Sequence, residues 1–202
     1  MLFHKIALFG ANGQIGDAIL RALIKGTPKL KFSVTAVVPP GSQLQHGQNV
    51  DAVTVQELDI AKASQEELAK LLHGHDAVVS ALNGPGLEAQ RKIQDAAVDA
   101  KVRRFYPSEY GMHHVYQKPG DDQGYVHPMW NMKERINEEC VKHPAIYDGR
   151  MSYTLIGCGD FYNQDREKVW CPWTQTDVES YTLHAVGNPD APAEYTLSLI
   201  HI

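Results

Sequence analysis

Three glycines, Gly10, Gly13 and Gly16, follow a short apolar run and precede a helix-like pattern in IALFGANGQIGDAIL (Ile6 to Leu20). In a strand–turn–helix such a triplet has a chemistry. The first glycine allows the tight turn, the second admits a pyrophosphate against the backbone, and the third lets helix pack on strand. The free N–H groups and dipole of the helix N-terminus then favour the anion. The spacing is GxxGxxG rather than GxGxxG, and glycines also fill ordinary turns. The flanking strand and amphipathic helix favour a dinucleotide site at Gly10, Asn12, Gly13, Gln14, Ile15 and Gly16.

Other residues invite a chemical test. Ser108, Glu109 and Tyr110 close an apolar run at the end where open α/β sheets hold their ligands. Glu109 reads equally as a structural carboxylate accepting backbone N–H bonds. Asn83, before Gly84, ends another run and faces the ribose side of a dinucleotide, or is a loop asparagine in a turn. Lys133, in MKERINEE, reads on helix pattern alone as a solvated lysine. His113, His114 and His127 share a polar loop with Asp121 and Asp122, but their spacing fits no common zinc pattern, so no metal is expected. WCPW (Trp170 to Trp173) offers an aromatic wall for a planar substrate, or ordinary core packing.

Alternating elements would hold these residues. KIALF (Lys5 to Phe9) reads as a buried parallel strand, and Ile15, Ala18, Ile19, Ala22 and Leu23 repeat at helical spacing until Gly26 and Pro28. FSVTAVV (Phe32 to Val38) and VTVQEL (Val53 to Leu58) are the next strands. Ser64 with Glu67 forms a capping box that opens a helix running to HGH. DAVVSAL (Asp76 to Leu82), a helix over Leu87–Ala100, RRFYPS (Arg103 to Ser108), a helix around Trp130–Val141 and SYTLIG (Ser152 to Gly157) follow. This order predicts an α/β, Rossmann-like, doubly wound parallel sheet. Gln117–Pro128 is a long polar loop of the kind that often carries function.

Composition excludes other classes. The 202 residues carry a net charge of −5, with KVRR (Lys101 to Arg104) the one locally basic stretch, so no nucleic-acid footprint is present. No apolar run is long enough to cross a membrane, and MLFHKIALFG leads directly into a strand without a signal peptide. Three cysteines without a CxxC pair suit a reducing compartment, so a cytoplasmic protein with a small-molecule partner is expected. The oligomeric state is left open.

The resemblance becomes specific further along. GANGQIG, followed by LEAQRKIQDAAVDAKVRRFYPSEYG (Leu87 to Gly111), resembles the isoflavone reductase-like branch of the NmrA-like family. These are atypical short-chain dehydrogenase/reductase relatives, in which a Gln-bearing helix leads into an RF-x-PSE-[FY]-G strand end. The resemblance covers most of the chain. It implies that Lys133, in HPMWNMKERI, is the single active-site lysine, catalytic and beside the cofactor. YTLIGCGDFY (Tyr153 to Tyr162) is similar to the family's later strand and its Gly-x-Phe, which implies a nicotinamide contact at Phe161. A typical short-chain dehydrogenase uses Tyr-x-x-x-Lys, whereas the residue four before Lys133 is Met129, so Lys133 must act without that tyrosine.

Two departures stand out. NADP-binding relatives carry an arginine just after the second strand and NAD binders an acid. VVPPGSQLQHG has Pro39 and Pro40 there, with no charge until Asp51. The resemblance implies NADP, with NAD admissible. Residues 1–157 form the NAD(P)-binding domain, and 158–202 an incomplete substrate-side region. The chain stops in LSLIHI (Leu197 to Ile202), where the family runs on. That end resembles a translated adapter on a C-terminally truncated product, or belongs to a short member ending on a strand. A missing substrate lobe would expose apolar surface. The expected function is an NAD(P)H-dependent reductase of a small molecule, an aromatic one among the candidates. The alternative is a non-catalytic NAD(P)-binding redox sensor of the NmrA type.

Overall fold

A computed structural model of the chain describes residues 3–47, 50–111, 128–158 and 198–201. Phe161, WCPW, His113, His114, His127, Asp121 and Asp122, singled out above, lie outside the described residues.

The described residues build a seven-stranded sheet. Strand β1 (Lys5–Phe9) leads through the glycine turn into helix α1 (Gln14–Lys25), then β2 (Ser33–Val38) and β3 (Val53–Glu57). Helix α2 (Gln65–Leu72) returns the chain to β4 (Ala77–Ser80), and a 3₁₀ helix (Gly84–Ala89) and α3 (Gln90–Asp99) lead to β5 (Arg104–Tyr106). Helix α4 (Pro128–Val141), the short α5 (Pro144–Tyr147), β6 (Ser152–Gly157) and β7 (Ser198–His201) complete the order. Across the sheet the strands run β3-β2-β1-β4-β5-β6-β7, with the first six parallel and β7 antiparallel to β6. The doubly wound architecture is as the sequence implies. Its parallel character ends at β7, where Gly157 pairs with Ser198.

Burial explains which segments became strands. All four β4 residues are buried, as are the last four of β1, because central parallel strands are covered on both faces. β3 is an edge strand and mostly exposed. Alternation sorts side chains to two cores. Ala7, Phe9, Val78, Phe105 and Tyr153 face α2, α3 and α4, while Ile6, Leu8, Val34, Ala36 and Val79 join Leu20 of α1. Full burial of each large apolar side chain contributes about 2 kcal/mol. Phe105 and Tyr153 stack with ring centroids 6.1 Å apart, tying β5 to β6. On the α1 side an apolar groove of about 610 Å³ runs between Ile15, Ile19 and Leu23 of the helix and Val79, Tyr106 and Ile156 of the sheet.

Local differences from the sequence expectation have local causes. The capping box forms as read, with Glu67 N donating to Ser64 Oγ at 3.1 Å and Ser64 N donating to Glu67 Oε2 at 2.8 Å. The helix expected over Leu87–Ala100 begins instead as a 3₁₀ helix over Gly84–Ala89, and α3 starts at Gln90. β5 stops at Tyr106 because Pro107 cannot donate to a ladder. Asp76 stays outside β4, and its carboxylate accepts the N–H groups of His4 and Lys5, each at 2.9 Å.

Candidate functional site

The strand order reverses between β1 and β4, and open α/β sheets bind ligands outside the carboxyl ends of the strands at such a point. The glycine turn lies there. Gly10 has φ +79°, and a Cβ on it would stand 2.5 Å from the carbonyl oxygen of Ala81, just past β4. Gly13 N donates to Gly10 O at 3.0 Å, closing the turn. A Cβ on Gly16 would fall 2.0 Å from Gly10 O, so this glycine lets α1 sit against the turn. Gly13 differs: it is exposed, and a Cβ there would meet little beyond Gly10 O at 3.3 Å. As the N-cap of α1 it offers no side chain to cap the first N–H groups, which stay available to an anion.

Two of the four buried side-chain polar atoms that lack a partner among the described residues lie at this edge, the others being Gln94 Oε1 on α3 and Tyr110 OH after β5. Among the described residues, the buried Asn12 Oδ1 in the turn and Ser80 Oγ at the end of β4 have no hydrogen-bond partner. A buried polar atom left unpaired costs about 1–3 kcal/mol, so a ligand that pairs it gains by the same amount. An open turn, an uncapped helix and an orphaned amide oxygen fit the phosphates and ribose of a dinucleotide. Gln14 and Ile15 form the first turn of α1 beside them, and Ile15 also lines the groove on the α1 side. Asn83 is exposed and caps the 3₁₀ helix by position, without a side-chain bond.

The loop after β2 carries an interaction that the sequence reading did not foresee. His46 Nδ1 lies 2.7 Å from Asp17 Oδ1, and Arg21 Nε donates to Asp17 Oδ2 at 3.1 Å. Asp17 is buried in the first turn of α1, so its carboxylate is matched by these two neighbours. Pro39 and Pro40 at the end of β2 are exposed and carry no charge.

A second cluster closes the carboxyl end of β5. Ser108 Oγ donates to Leu82 O at 2.6 Å, joining the segments after β5 and β4. Tyr110 takes the left-handed φ of +54°, and its N–H reaches Ile156 O at 2.9 Å. A non-glycine residue in that region costs about 1–3 kcal/mol and persists only where its surroundings hold it. Lys133 Nζ donates to the Glu109 carbonyl at 2.7 Å. Burial holds the Lys133 ammonium below the usual lysine range, and the Glu109 charge opposes that shift. A solvated helix lysine would show neither the bond nor the burial. Glu109 itself is buried, and Asn137 Nδ2 donates to its Oε2 at 2.8 Å.

Gln90 and Asn137 were not singled out from sequence, yet they organise this cluster. Gln90 Nε2 donates to Asn137 Oδ1 at 3.0 Å, and Gln90 Oε1 accepts Ser108 N at 2.7 Å. Tyr153 OH donates to the same Asn137 oxygen at 3.3 Å. A signal was available. Gln90, Ile93, Gln94 and Ala97 share the buried stripe of α3, and Ile136, Asn137 and Cys140 lie buried on α4. A polar residue on an apolar stripe marks a partnered polar group. No cluster of three or more His, Cys, Asp or Glu suited to a metal stands among the described residues, and none of their helices is long and apolar enough to cross a membrane.

The fold is that of a Rossmann-like α/β protein whose strand order reverses between β1 and β4. The family model of the NmrA-like family matches residues 3–197, and the chain belongs to that family. It is 29% identical over 168 residues to an NmrA-like family domain-containing oxidoreductase of Gibberella moniliformis, covering 77% of this chain and 51% of that protein. A crystal structure of isoflavone reductase superposes with a TM-score of 0.56 at 26% identity, covering 79% of this chain and 50% of the other. The leucoanthocyanidin reductase–NADPH complex of Vitis vinifera, at 23% identity and a TM-score of 0.56, shares the fold over 77% of this chain and 48% of that one. The chain thus spans about half the length of the curated relatives it matches first.

Proposed function

We propose that the protein is an NAD(P)H-dependent reductase of a small molecule, with Lys133 as the acid/base group. The observation that carries this reading is the Lys133 ammonium, partly buried at the carboxyl end of β5 with its Nζ 2.7 Å from the Glu109 carbonyl. A lysine whose charged form is penalised by burial exchanges protons nearer to working pH than a solvated one, which suits general acid/base duty. In this reading Gly10, Asn12, Gly13, Gln14, Ile15 and Gly16 hold the pyrophosphate side, Asn83 the ribose side, and Lys133 and Phe161 the nicotinamide side. When bound, the reduced nicotinamide supplies a hydride. The chain's own part is to hold the cofactor against the turn and to move a proton at Lys133 Nζ. NADP is the favoured cofactor by family, with NAD admissible because Pro39 and Pro40 stand where a discriminating charge would be. The chemical class of relatives named as reductases supports an aromatic substrate among the candidates.

Lys133→Met tests the assignment, because it keeps the apolar stem and removes the proton carrier. Consumption of NADPH or NADH across a panel of small carbonyl and enone substrates gives turnover, and calorimetry gives cofactor affinity. Turnover is expected to fall by about 10²–10⁴ with affinity nearly unchanged. Turnover that survives the substitution refutes the role of Lys133. Tight cofactor binding with no turnover of any substrate by the unsubstituted protein transfers the assignment to the redox-sensor reading.

A further inference from the structure

Lys133 and Asn137 are one helical turn apart on α4 and therefore share a face. Both donate to the same residue. Lys133 takes the Glu109 carbonyl at 2.7 Å, and Asn137 takes the Glu109 carboxylate at 2.8 Å. Glu109 is thus clasped at its backbone and at its side chain by a single helix face.

The direction of every bond in the clasp is fixed from one end. Ser108 N–H can only donate, so the oxygen of the Gln90 amide faces it and the Gln90 NH₂ faces away. That NH₂ meets Asn137 Oδ1, which leaves Asn137 Nδ2 to donate to the Glu109 carboxylate. A second donor, Tyr153 OH, reinforces the same orientation from β6. The chain of amides, drawn from α3 and α4, therefore ends with the Asn137 N–H on the Glu109 carboxylate. Each of these polar side chains is buried, with Gln90 at 0%, Asn137 at 1% and Glu109 at 3% exposure, so the arrangement has little freedom to relax.

Resting on the reading of Lys133 as the acid/base group, we propose that Glu109 and Asn137 are positioning residues for it: Asn137 fixes the Glu109 carboxylate, and Glu109 sets both the place and the charge of the Lys133 ammonium. Burial alone would drive Lys133 toward the neutral amine, and the nearby carboxylate holds part of the charge on it. Other charged groups on the facing elements are engaged with one another. Arg135 pairs with Glu88 at 2.8 Å, and Arg91 with Asp95 at 3.1 Å and with the Glu139 carbonyl at 2.7 Å. Among the described residues the carboxylate acting on Lys133 is Glu109.

The test is independent of any substrate. Competitive acetylation of the full chain across a pH series, read by mass spectrometry, gives the labelling midpoint of Lys133, with the exposed Lys62 as internal reference. Glu109→Gln keeps the shape and removes the charge, and Glu109→Asp keeps the charge but withdraws it by one methylene. The Lys133 midpoint is expected to fall in the order unsubstituted, Glu109→Asp, Glu109→Gln, while that of Lys62 stays fixed. If Glu109→Gln melts below the assay temperature, the comparison of Glu109→Asp with the unsubstituted chain carries the same sign. Coincident or reversed Lys133 midpoints overturn the proposal. The pH profile of kcat should move with the labelling midpoint and KM should not. Turnover unaffected by Lys133→Met would refute the acid/base reading and leave the labelling order standing, so the two failures are distinguishable.

Discussion

Asp76 offers a stability prediction whose size can be worked from geometry. It sits just before β4 and reaches two neighbouring strands at the amino end of the sheet. Its Oδ2 accepts the N–H groups of Lys5 and His4, each at 2.9 Å, and its Oδ1 accepts Arg103 Nη2 at 2.6 Å. The bond from Lys5, the bond from His4 and the Arg103 guanidinium together hold the carboxyl at about 2, against an ordinary value of 3.8. At about 1.4 kcal/mol per pKa unit the full linkage is about 2.5 kcal/mol. The side chain is 24% exposed, and solvent screening reduces the contribution to about 1–2 kcal/mol. The folded-state value is the lower one, so this stability is complete above pH 4 and is lost as pH falls toward 2. Asp76→Asn is therefore expected to cost about 1–2 kcal/mol at pH 7. Urea denaturation of both proteins between pH 7 and pH 3 measures the gap, which should narrow at the acid end. A gap that stays constant with pH, or an Asn variant as stable as its parent at pH 7, refutes the reasoning.

The glycine turn gives a paired prediction. Gly16→Ala is expected to destabilise the fold by about 3 kcal/mol, the upper end of the overpacking range, because its Cβ meets Gly10 O at 2.0 Å. Gly13→Val should leave the melting temperature nearly unchanged and abolish dinucleotide binding in calorimetry; retained affinity defeats the assignment of that turn. Cofactor choice is testable by titration with NADPH and NADH. Discrimination is expected below about a hundredfold, near 3 kcal/mol, and Pro39→Arg should raise the preference for NADPH by adding a phosphate-pairing cation. A larger preference in the unsubstituted protein would point to another cation, with His46 the first to substitute.

Much of the frame was legible because local and global signals agree. The KIALF and SYTLIG runs became strands at the residues read for them, and Ser64 with Glu67 formed the expected capping box. Several boundaries moved by one or two residues, and β5 stops before Pro107, whose missing N–H ends the ladder. The sequence leaves Glu109 open between a structural carboxylate and a site residue, and neither bond it makes to α4 is visible in a local pattern. Its side chain is tied to Asn137, and its carbonyl holds Lys133. The Gln90–Asn137 contact was illegible because its partners are 47 residues apart and come from two helices whose packing no local pattern specifies. The His46–Asp17 contact, across 29 residues, escaped for the same reason.

The position of β1 has a consequence for the birth of the molecule on the ribosome. Ile6 pairs with Val34 on one side but with Ala77 on the other, roughly 70 residues further along the chain. At a synthesis rate of about 5–20 residues per second, the apolar edge made by Ile6, Ala7, Leu8 and Phe9 waits about 4–14 s for its second neighbour to be made. Once β2 has been made and until β4 follows, a β1–β2 pair carries one unsatisfied row of backbone donors and acceptors, the kind of edge on which other nascent chains assemble. Cellular yield of this protein should therefore respond to translation speed and to chaperones that cover strand edges more than its equilibrium stability alone would suggest.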